Sequence, residues 1–197
     1  MTNYLKVVEF FPSDYPAYHY LAPLLLQIGD MEGYQRHRQR IVQQFGSTSD
    51  PIIAERLSKD CLVLPPGATN LELITKMADV AVAAGPAHTF WRYFQFVKGL
   101  AEYRSGHFAA AADWLQKVLD EKGHWNRRVA TLAVLAMAQH QLGQVEQARV
   151  TLEDGVQTAS RVLPKSPDNL GDDWNDWIIA HLLLREAQIL IGGGAPK

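Results

Sequence analysis

Cysteine is nearly absent from the 197-residue chain, in which Cys61 stands alone. A single thiol excludes an internal disulfide and any metal site built from several cysteines. Cys61 belongs to the apolar run 61–64, so we expect a buried, unreactive thiol rather than a nucleophile. Long apolar runs are also lacking, because no segment approaches the roughly 20 uninterrupted apolar residues that a membrane span requires.

Targeting signals and a charge excess are missing as well. The N-terminal segment has no basic region, long apolar stretch or small-residue cleavage site, so no secretory signal is predicted. The chain carries 19 Lys and Arg against 21 Asp and Glu, a net charge of −2 that gives no general attraction to nucleic acid or anionic lipid. These absences predict a cytoplasmic protein with no membrane and no nucleic-acid partner.

Motifs of catalysis and metal binding are absent too. The seven histidines are scattered, without His-Glu-x-x-His spacing, and no Gly-x-Ser-x-Gly nucleophile elbow occurs. The acidic residues Asp168, Asp172, Asp173 and Asp176 do not fit an EF-hand loop, and Asp172 or Asp173 is better explained as the N-cap of a helix. We therefore predict no enzyme activity, no catalytic residue, no cofactor and no metal. An enzyme using the histidines or this acidic cluster is the least favoured hypothesis.

One short basic run, Arg-His-Arg-Gln-Arg at 36–40, is the only hint of nucleic-acid contact. On a helix these side chains point in several directions. We predict a solvated helix face, with Arg36 and Arg40 exposed and His37 partly buried beside Tyr34.

Glycine recurs at a nearly constant interval, which indicates an internal repeat. The spacings along the series Gly29, Gly67, Gly106 and Gly143 are 38, 39 and 37 residues. Around three of these glycines a small residue lies seven positions upstream: Ala22, Gly99 and Ala136. This pattern is typical of a helical hairpin, in which glycine ends the first helix and the small residue lets the second lie close. Each hairpin leaves an apolar face exposed, so stacking of neighbours makes the core.

Apolar periodicity predicts helices over 15–28, 31–45, 51–63, 70–84, 88–105, 107–121, 126–141, 144–162 and 173–191. The hairpin at Gly67 is degenerate, because two prolines precede the glycine. Residues 4–11 are predicted as the tail of a further helix, and the last helix, without a partner, as a solenoid cap. We expect one domain over 1–191 and a flexible tail over 192–197.

The blocks Gly-His-Phe-x-x-Ala-Ala at 106–112 and Leu-Ala-Met-Ala-x-x-x-Leu-Gly-Gln-x-Glu-x-Ala at 135–148 resemble tetratricopeptide repeats. More narrowly, the chain is similar to the C-terminal helical-repeat region of certain large bacterial serine/threonine protein kinases and WD40-repeat proteins, in the stretches 29–34, 53–57, 99–104 and 174–177. The resemblance implies an all-α, right-handed superhelical solenoid of about four antiparallel hairpins with a C-terminal capping helix. It implies a protein-interaction scaffold and brings no kinase activity, because the kinase motifs are absent.

The family register also implies a partner-binding groove on the concave face. Its inward positions are Tyr93, Phe96, Leu100, Tyr103, Arg104, Met137, His140, Gln141, Trp177, His181 and Arg185. Aromatic side chains, Met and Arg on one face are the composition of a binding hot spot. Ordinary packing between repeats is the competing interpretation of the same residues.

Two functional hypotheses follow. The first is a rigid scaffold that binds a protein or peptide along this groove. The second is a self-association or spacer module of a larger bacterial kinase-type signalling protein, with a homo-oligomer as a possible state. Its motivation is the incomplete first hairpin, which would leave an apolar end uncovered.

Overall fold

The computed structural model describes residues 2–120, 124–162, 171 and 173–193, and this part of the chain is helical with no strand. Its ten α-helices are α1 (Thr2–Phe10), α2 (Tyr15–Gln27), α3 (Met31–Phe45), α4 (Pro51–Leu62), α5 (Ala68–Ala83), α6 (Trp91–Arg104), α7 (Phe108–Leu119), α8 (Trp125–Gln141), α9 (Val145–Val162) and α10 (Trp174–Gly192). Asp168, Asp172 and the predicted tail beyond residue 193 lie outside the described residues. None of the ten helices is long and apolar enough to cross a membrane.

Consecutive helices pair into four hairpins that stack in chain order. The pairs are α2 with α3, α4 with α5, α6 with α7 and α8 with α9, while α1 packs against α2. The first helices of the hairpins, α2, α4, α6 and α8, also contact one another in sequence, and we call their common surface the inner face. The predicted all-α helical-repeat solenoid is confirmed, with helix ends within three residues of prediction wherever both ends are described.

Three of the four hairpins turn in the same way. Gly29, Gly106 and Gly143 have φ of 76°, 80° and 75°, the left-handed conformation that favours glycine. In each turn the next amide N–H donates to a carbonyl five residues back, as Asp30 N does to Leu25 O at 2.9 Å. The small residue upstream has the predicted role at Gly99, where an added Cβ would lie 2.7 Å from Leu115 Cγ.

The hairpin between α4 and α5 ends its first helix differently. Gly67 has φ −64°, and neither Pro65 nor Pro66 has an N–H to donate, so the usual glycine turn cannot satisfy the last carbonyls of α4. Two arginines from other helices donate instead. Arg104 bonds Leu62 O at 2.9 Å and Val63 O at 2.7 Å, and Arg38 bonds Leu64 O at 3.2 Å. Positive charge at a helix C-terminus is also favoured by the helix dipole.

The basic run in α3 is therefore only partly a solvated face. Arg36 and Arg40 are exposed as predicted. Arg38, in contrast, is buried and donates hydrogen bonds to the end of α4. His37 is fully buried rather than partly buried. Its Nε2 donates to Tyr18 O at 2.9 Å, and its Nδ1 is buried with no hydrogen-bond partner in the described part of the chain.

We expect His37 to make the protein less stable below neutral pH. Burial lowers the pKa of His37 from 6.5 to about 4, so the unfolded state binds a proton that the folded state refuses between these values. Stability therefore falls as pH falls through that window, by about 2 kcal/mol between pH 7 and pH 5. Urea unfolding at both pH values should show this loss shrinking by a similar amount in His37→Gln. An unchanged loss would assign the pH dependence to other groups.

The last helix does more than cap the end of the solenoid, which is the role that the sequence predicts for it. α10 packs against α8 and α9 like the next helix of the array, and it also reaches back to α2 at the other end of the inner face. The rings of Trp174 and Tyr20 are 5.6 Å apart, and Asn175 Nδ2 lies 2.7 Å from His19 Nε2. Because α10 touches the first and the last inner helix, it lies across the inner face and closes the solenoid on itself.

Candidate functional site

Several residues of the predicted groove lie in the core instead of on an open surface. Phe96, Leu100 and Met137 are at most 2% exposed. Phe96 and Ile179 of α10 border a void of only about 10 Å³, so α10 covers the inner face at this point. These side chains serve inter-helix packing in this structure, which was the competing interpretation. They are not accessible to a partner while α10 stays in place.

Arg104 and Tyr103 also have internal partners. Besides capping α4, the Arg104 guanidinium forms a bidentate pair with Glu186 of α10, at 2.5 Å and 2.7 Å, and its side chain is 3% exposed. The Tyr103 ring is mostly buried and lies 5.7 Å from the ring of Phe108. Arg104, which is predicted to line the groove, is thus paired with Glu186 of the same chain.

The remaining predicted residues do not meet at one place. On α10, His181 and Arg185 are exposed and Trp177 is half-buried, so this stripe faces solvent on the side away from the inner face. Partial withdrawal of the His181 ring from water lowers its pKa. On α8, Gln141 is exposed, whereas His140 is partly buried with an Nδ1 that has no hydrogen-bond partner among the described residues.

Tyr93 is a predicted groove residue that borders a large open cavity. The cavity measures about 750 Å³ and lies where α4, α6, α8 and α10 begin, with α2 as a further wall. We call it the mouth cavity. Its lining residues are His19, Tyr20, Ile52, Glu55, Arg56, Lys59, Thr89, Phe90, Arg92, Tyr93, His124, Arg127, Asp173, Asn175 and Asp176.

A buried ion triad forms the floor of the mouth cavity. Lys59 Nζ lies 2.8 Å from Asp176 Oδ1 and 3.2 Å from Glu55 Oε1, and the Lys59 and Glu55 side chains are each 5% exposed. Burial alone would lower the pKa of Lys59, but the two carboxylates raise it, so the ammonium stays charged. Lys59 in turn lowers the pKa of Asp176 against the effect of burial. The triad ties α10 to α4.

A second buried link ties α10 to α2. His19 Nδ1 lies 2.8 Å from Asp60 Oδ2, and its Nε2 lies 2.7 Å from Asn175 Nδ2. A neutral ring protonated on Nδ1 satisfies both bonds, donating to Asp60 and accepting from Asn175. Burial raises the pKa of Asp60, and the neighbouring His19 partly offsets this rise. Because both nitrogens of His19 are engaged, the link holds α10 in place and leaves neither nitrogen open to a ligand.

Two arginines of the mouth cavity form no ion pair with the described residues, although the carboxylates of Asp176 and Glu55 are near enough to interact electrostatically with Arg127. The Arg127 guanidinium lies over the Tyr93 ring, 4.3 Å from its centroid. Arg56 donates to Tyr15 Oη at 3.1 Å. No carboxylate of the described residues lies within 4.0 Å of either guanidinium. Burial lowers the pKa of Arg127 and the nearby charge of Arg92 adds to this, while Tyr93, Asp176 and Glu55 act in the opposite direction.

The family register missed this site, although the sequence carries a signal for it. Arg92 and Arg127 lie in the first turns of α6 and α8, and neither of these turns contains an acidic residue. Basic residues there oppose the helix dipole, which favours negative charge at the N-terminus. The sequence does not show that these two turns lie side by side in one cavity. The signal can therefore be interpreted only with the fold.

These features define the class of protein as an all-α helical-repeat solenoid. The described residues contain no cluster of three or more His, Cys, Asp or Glu side chains that could hold a metal ion. A family profile described as tetratricopeptide repeat matches residues 129–154, which lie in α8, the Gly143 turn and the first half of α9. Together with the helical structure, this match supports a tetratricopeptide-like repeat. A comparison with curated proteins finds no match.

Proposed function

We propose that the chain is a protein-binding scaffold that holds a peptide or loop of its partner in the mouth cavity. Tetratricopeptide repeats generally mediate protein–protein interaction and are typically non-catalytic, which supports this class. The observation that carries the proposal is the position of α10. It fills the inner face over Phe96 and leaves the mouth cavity as its open part.

The size and lining of the mouth cavity fit a binding role. Its volume of about 750 Å³ falls in the usual range of ligand sites. Tyr20, Phe90 and Tyr93 supply aromatic surface next to arginines, the residue types that dominate binding energy in interfaces. The buried links through Lys59 and His19 hold the cavity walls together. Binding of a partner therefore requires little further ordering of these walls. We expect the partners to be proteins or peptides of the cytoplasm and not nucleic acids.

A photo-crosslinking residue at position 90 should capture a defined partner in cells. Phe90 lines the mouth cavity and is 36% exposed, so replacing it with benzoylphenylalanine places the probe at the rim. The matched control is position 150 in α9, where Val150 is 68% exposed away from this cavity. We expect a discrete cross-linked band from position 90 that is absent from position 150. A partner captured equally at both positions, or at 150 alone, would place binding elsewhere.

One observation favours the alternative, a self-association or spacer module of a larger bacterial kinase-type protein. An open groove of about 470 Å³ lies between α9 and α10, with Leu152, Val156 and Ile191 among its lining residues. Val145 and Ile189 are further exposed apolar side chains on these two helices. Exposed apolar surface of this kind often marks an interface. Sedimentation analysis over micromolar concentrations tests this alternative. Self-association that Val156→Glu abolishes would support it, and a monomer at every concentration would rule it out.

A further inference from the structure

Arg127 stands in an unfavourable position for a charged group. It is partly withdrawn from water, lies over the Tyr93 ring, and has no carboxylate of the described residues within 4.0 Å. Burial lowers the pKa of Arg127 more than Tyr93, Asp176 and Glu55 raise it, and Arg92 adds a like charge nearby. Withdrawing a charge from water without a counterion costs free energy. An anion that enters the mouth cavity would remove part of this cost.

The helix ends add positive potential at the same place. α6 and α8 begin at the mouth cavity, and neither has a side-chain hydrogen bond at its N-cap residue, Phe90 or His124. Several of the first N–H groups have local acceptors, since Arg127 N donates to Asn126 Oδ1 and Trp91 N donates to His88 O. The positive end of the helix dipole still favours anions at such positions. This feature and the arginines are independent of each other, and both indicate the same sign of ligand charge.

Two of the three acidic residues of the mouth cavity, Glu55 and Asp176, are already engaged. Glu55 and Asp176 both contact Lys59, at 3.2 Å and 2.8 Å. The remaining acid, Asp173, lies 3.8 Å from His124 Nδ1. The side of the cavity formed by Arg56 and Arg127 therefore keeps positive charge available to a ligand.

We infer that the mouth cavity binds an oxyanion of the partner peptide, a carboxylate or a phosphate, which Arg127 and Arg56 hold. This inference rests on the proposed function and specifies the chemistry of its ligand. Tyr93 orients the Arg127 guanidinium from below, so that its N–H groups remain available for charge-assisted hydrogen bonds. Arg56, held by Tyr15, supplies the second cation from α4.

Fluorescence anisotropy with three labelled decapeptides tests this inference. The first alternates Gly and Glu, the second replaces every Glu by Gln, and the third carries one phosphoserine among glycines. We expect the Glu or the phosphoserine peptide to bind and the Gln peptide not to bind. Whichever anionic peptide binds more tightly identifies the source of the oxyanion. Binding should weaken as salt is added, because the interaction is electrostatic.

Matched variants locate the binding. Arg127→Gln and Arg56→Gln should each weaken the binding of the anionic peptide about tenfold, the usual effect of losing one charge-assisted hydrogen-bonding partner. Arg40→Gln removes the same charge from an exposed position on α3 and should leave the affinity within about twofold. Thermal melts check that each variant is folded, and Arg127→Lys, which keeps the charge, should retain part of the affinity.

Three results would overturn the inference: binding of the Gln peptide as tight as that of the Glu peptide, equal weakening by Arg40→Gln, or no binding of either anionic peptide at millimolar concentration. The outcome is separable from the proposed function. Capture of a partner at position 90 that survives Arg56→Gln and Arg127→Gln keeps the scaffold role and rejects the oxyanion. Arginine-dependent peptide binding without any captured partner would keep the oxyanion site and reject the scaffold role.

Discussion

Replacing Arg104 by Gln should lower the free energy of unfolding by about 3 kcal/mol, the cost expected when a buried charged hydrogen-bonding group is removed. The change removes the donors to Leu62 O and Val63 O and leaves Glu186 without its bidentate partner. The turn that follows offers these two carbonyls no backbone donor at Pro65 or Pro66, because proline carries no N–H.

Urea unfolding measures this effect against Arg40→Gln, which should change stability by about 0.5 kcal/mol or less as an exposed substitution. Glu186→Gln separates the two roles of Arg104. It weakens the contact with α10 and keeps the bonds to the end of α4, so it should cost clearly less than Arg104→Gln. Equal costs would show that the carbonyl bonds contribute nothing, and a cost below about 1 kcal/mol for Arg104→Gln would contradict its structural role.

Replacing Lys59 by Met should destabilise the fold by about 3–5 kcal/mol at neutral pH, the range for breaking a buried ion pair from one side. The substitution fills similar volume but leaves Glu55 and Asp176 close together without a cation. Both carboxylates would then have raised pKa values in the folded variant, because burial and their mutual repulsion disfavour the charged forms.

The pH dependence and a rescue identify the cause of this loss. In the native protein the lowered pKa of Asp176 contributes stability above its unfolded pKa, and this contribution is lost as pH falls through the folded value. The deficit of Lys59→Met should therefore be largest near pH 7 and shrink towards about pH 4, where the carboxylates take up protons. Adding Glu55→Gln and Asp176→Asn should restore most of the stability. A deficit that is constant with pH and persists in the triple variant would indicate lost packing instead.

The repeat was predictable because its determinants are local in the sequence. Gly29, Gly106 and Gly143 end their helices in the left-handed conformation that the spacing predicted, and Gly99 allows the close helix contact expected of it. The proline turn before Gly67 was also foreseen as irregular. Its stabilisation by Arg38 and Arg104 was not, because these residues lie tens of positions away in the sequence and come from other helices.

The candidate site depended on contacts that no local pattern contains. The link between His19 and Asn175 joins residues 156 positions apart, and it is one of the contacts that hold α10 against the inner face. The family register placed Phe96 and Leu100 facing inwards but could not show what lies over the inner face. The arginines at the mouth cavity became interpretable only when α6 and α8 were seen to begin side by side. The resemblance to kinase-associated repeat regions stays a prediction.

Hydrogen exchange of the chain, alone and with the partner captured at position 90, tests the central claim most directly. The claim is that a partner binds in the mouth cavity while α10 stays in place on the inner face. We expect slower exchange at the start of α6 and α8, around Tyr93 and Arg127, with exchange in α10 unchanged. Faster exchange in α10 together with new protection around Phe96 and Met137 would contradict the claim, because the partner would then replace α10 in the groove.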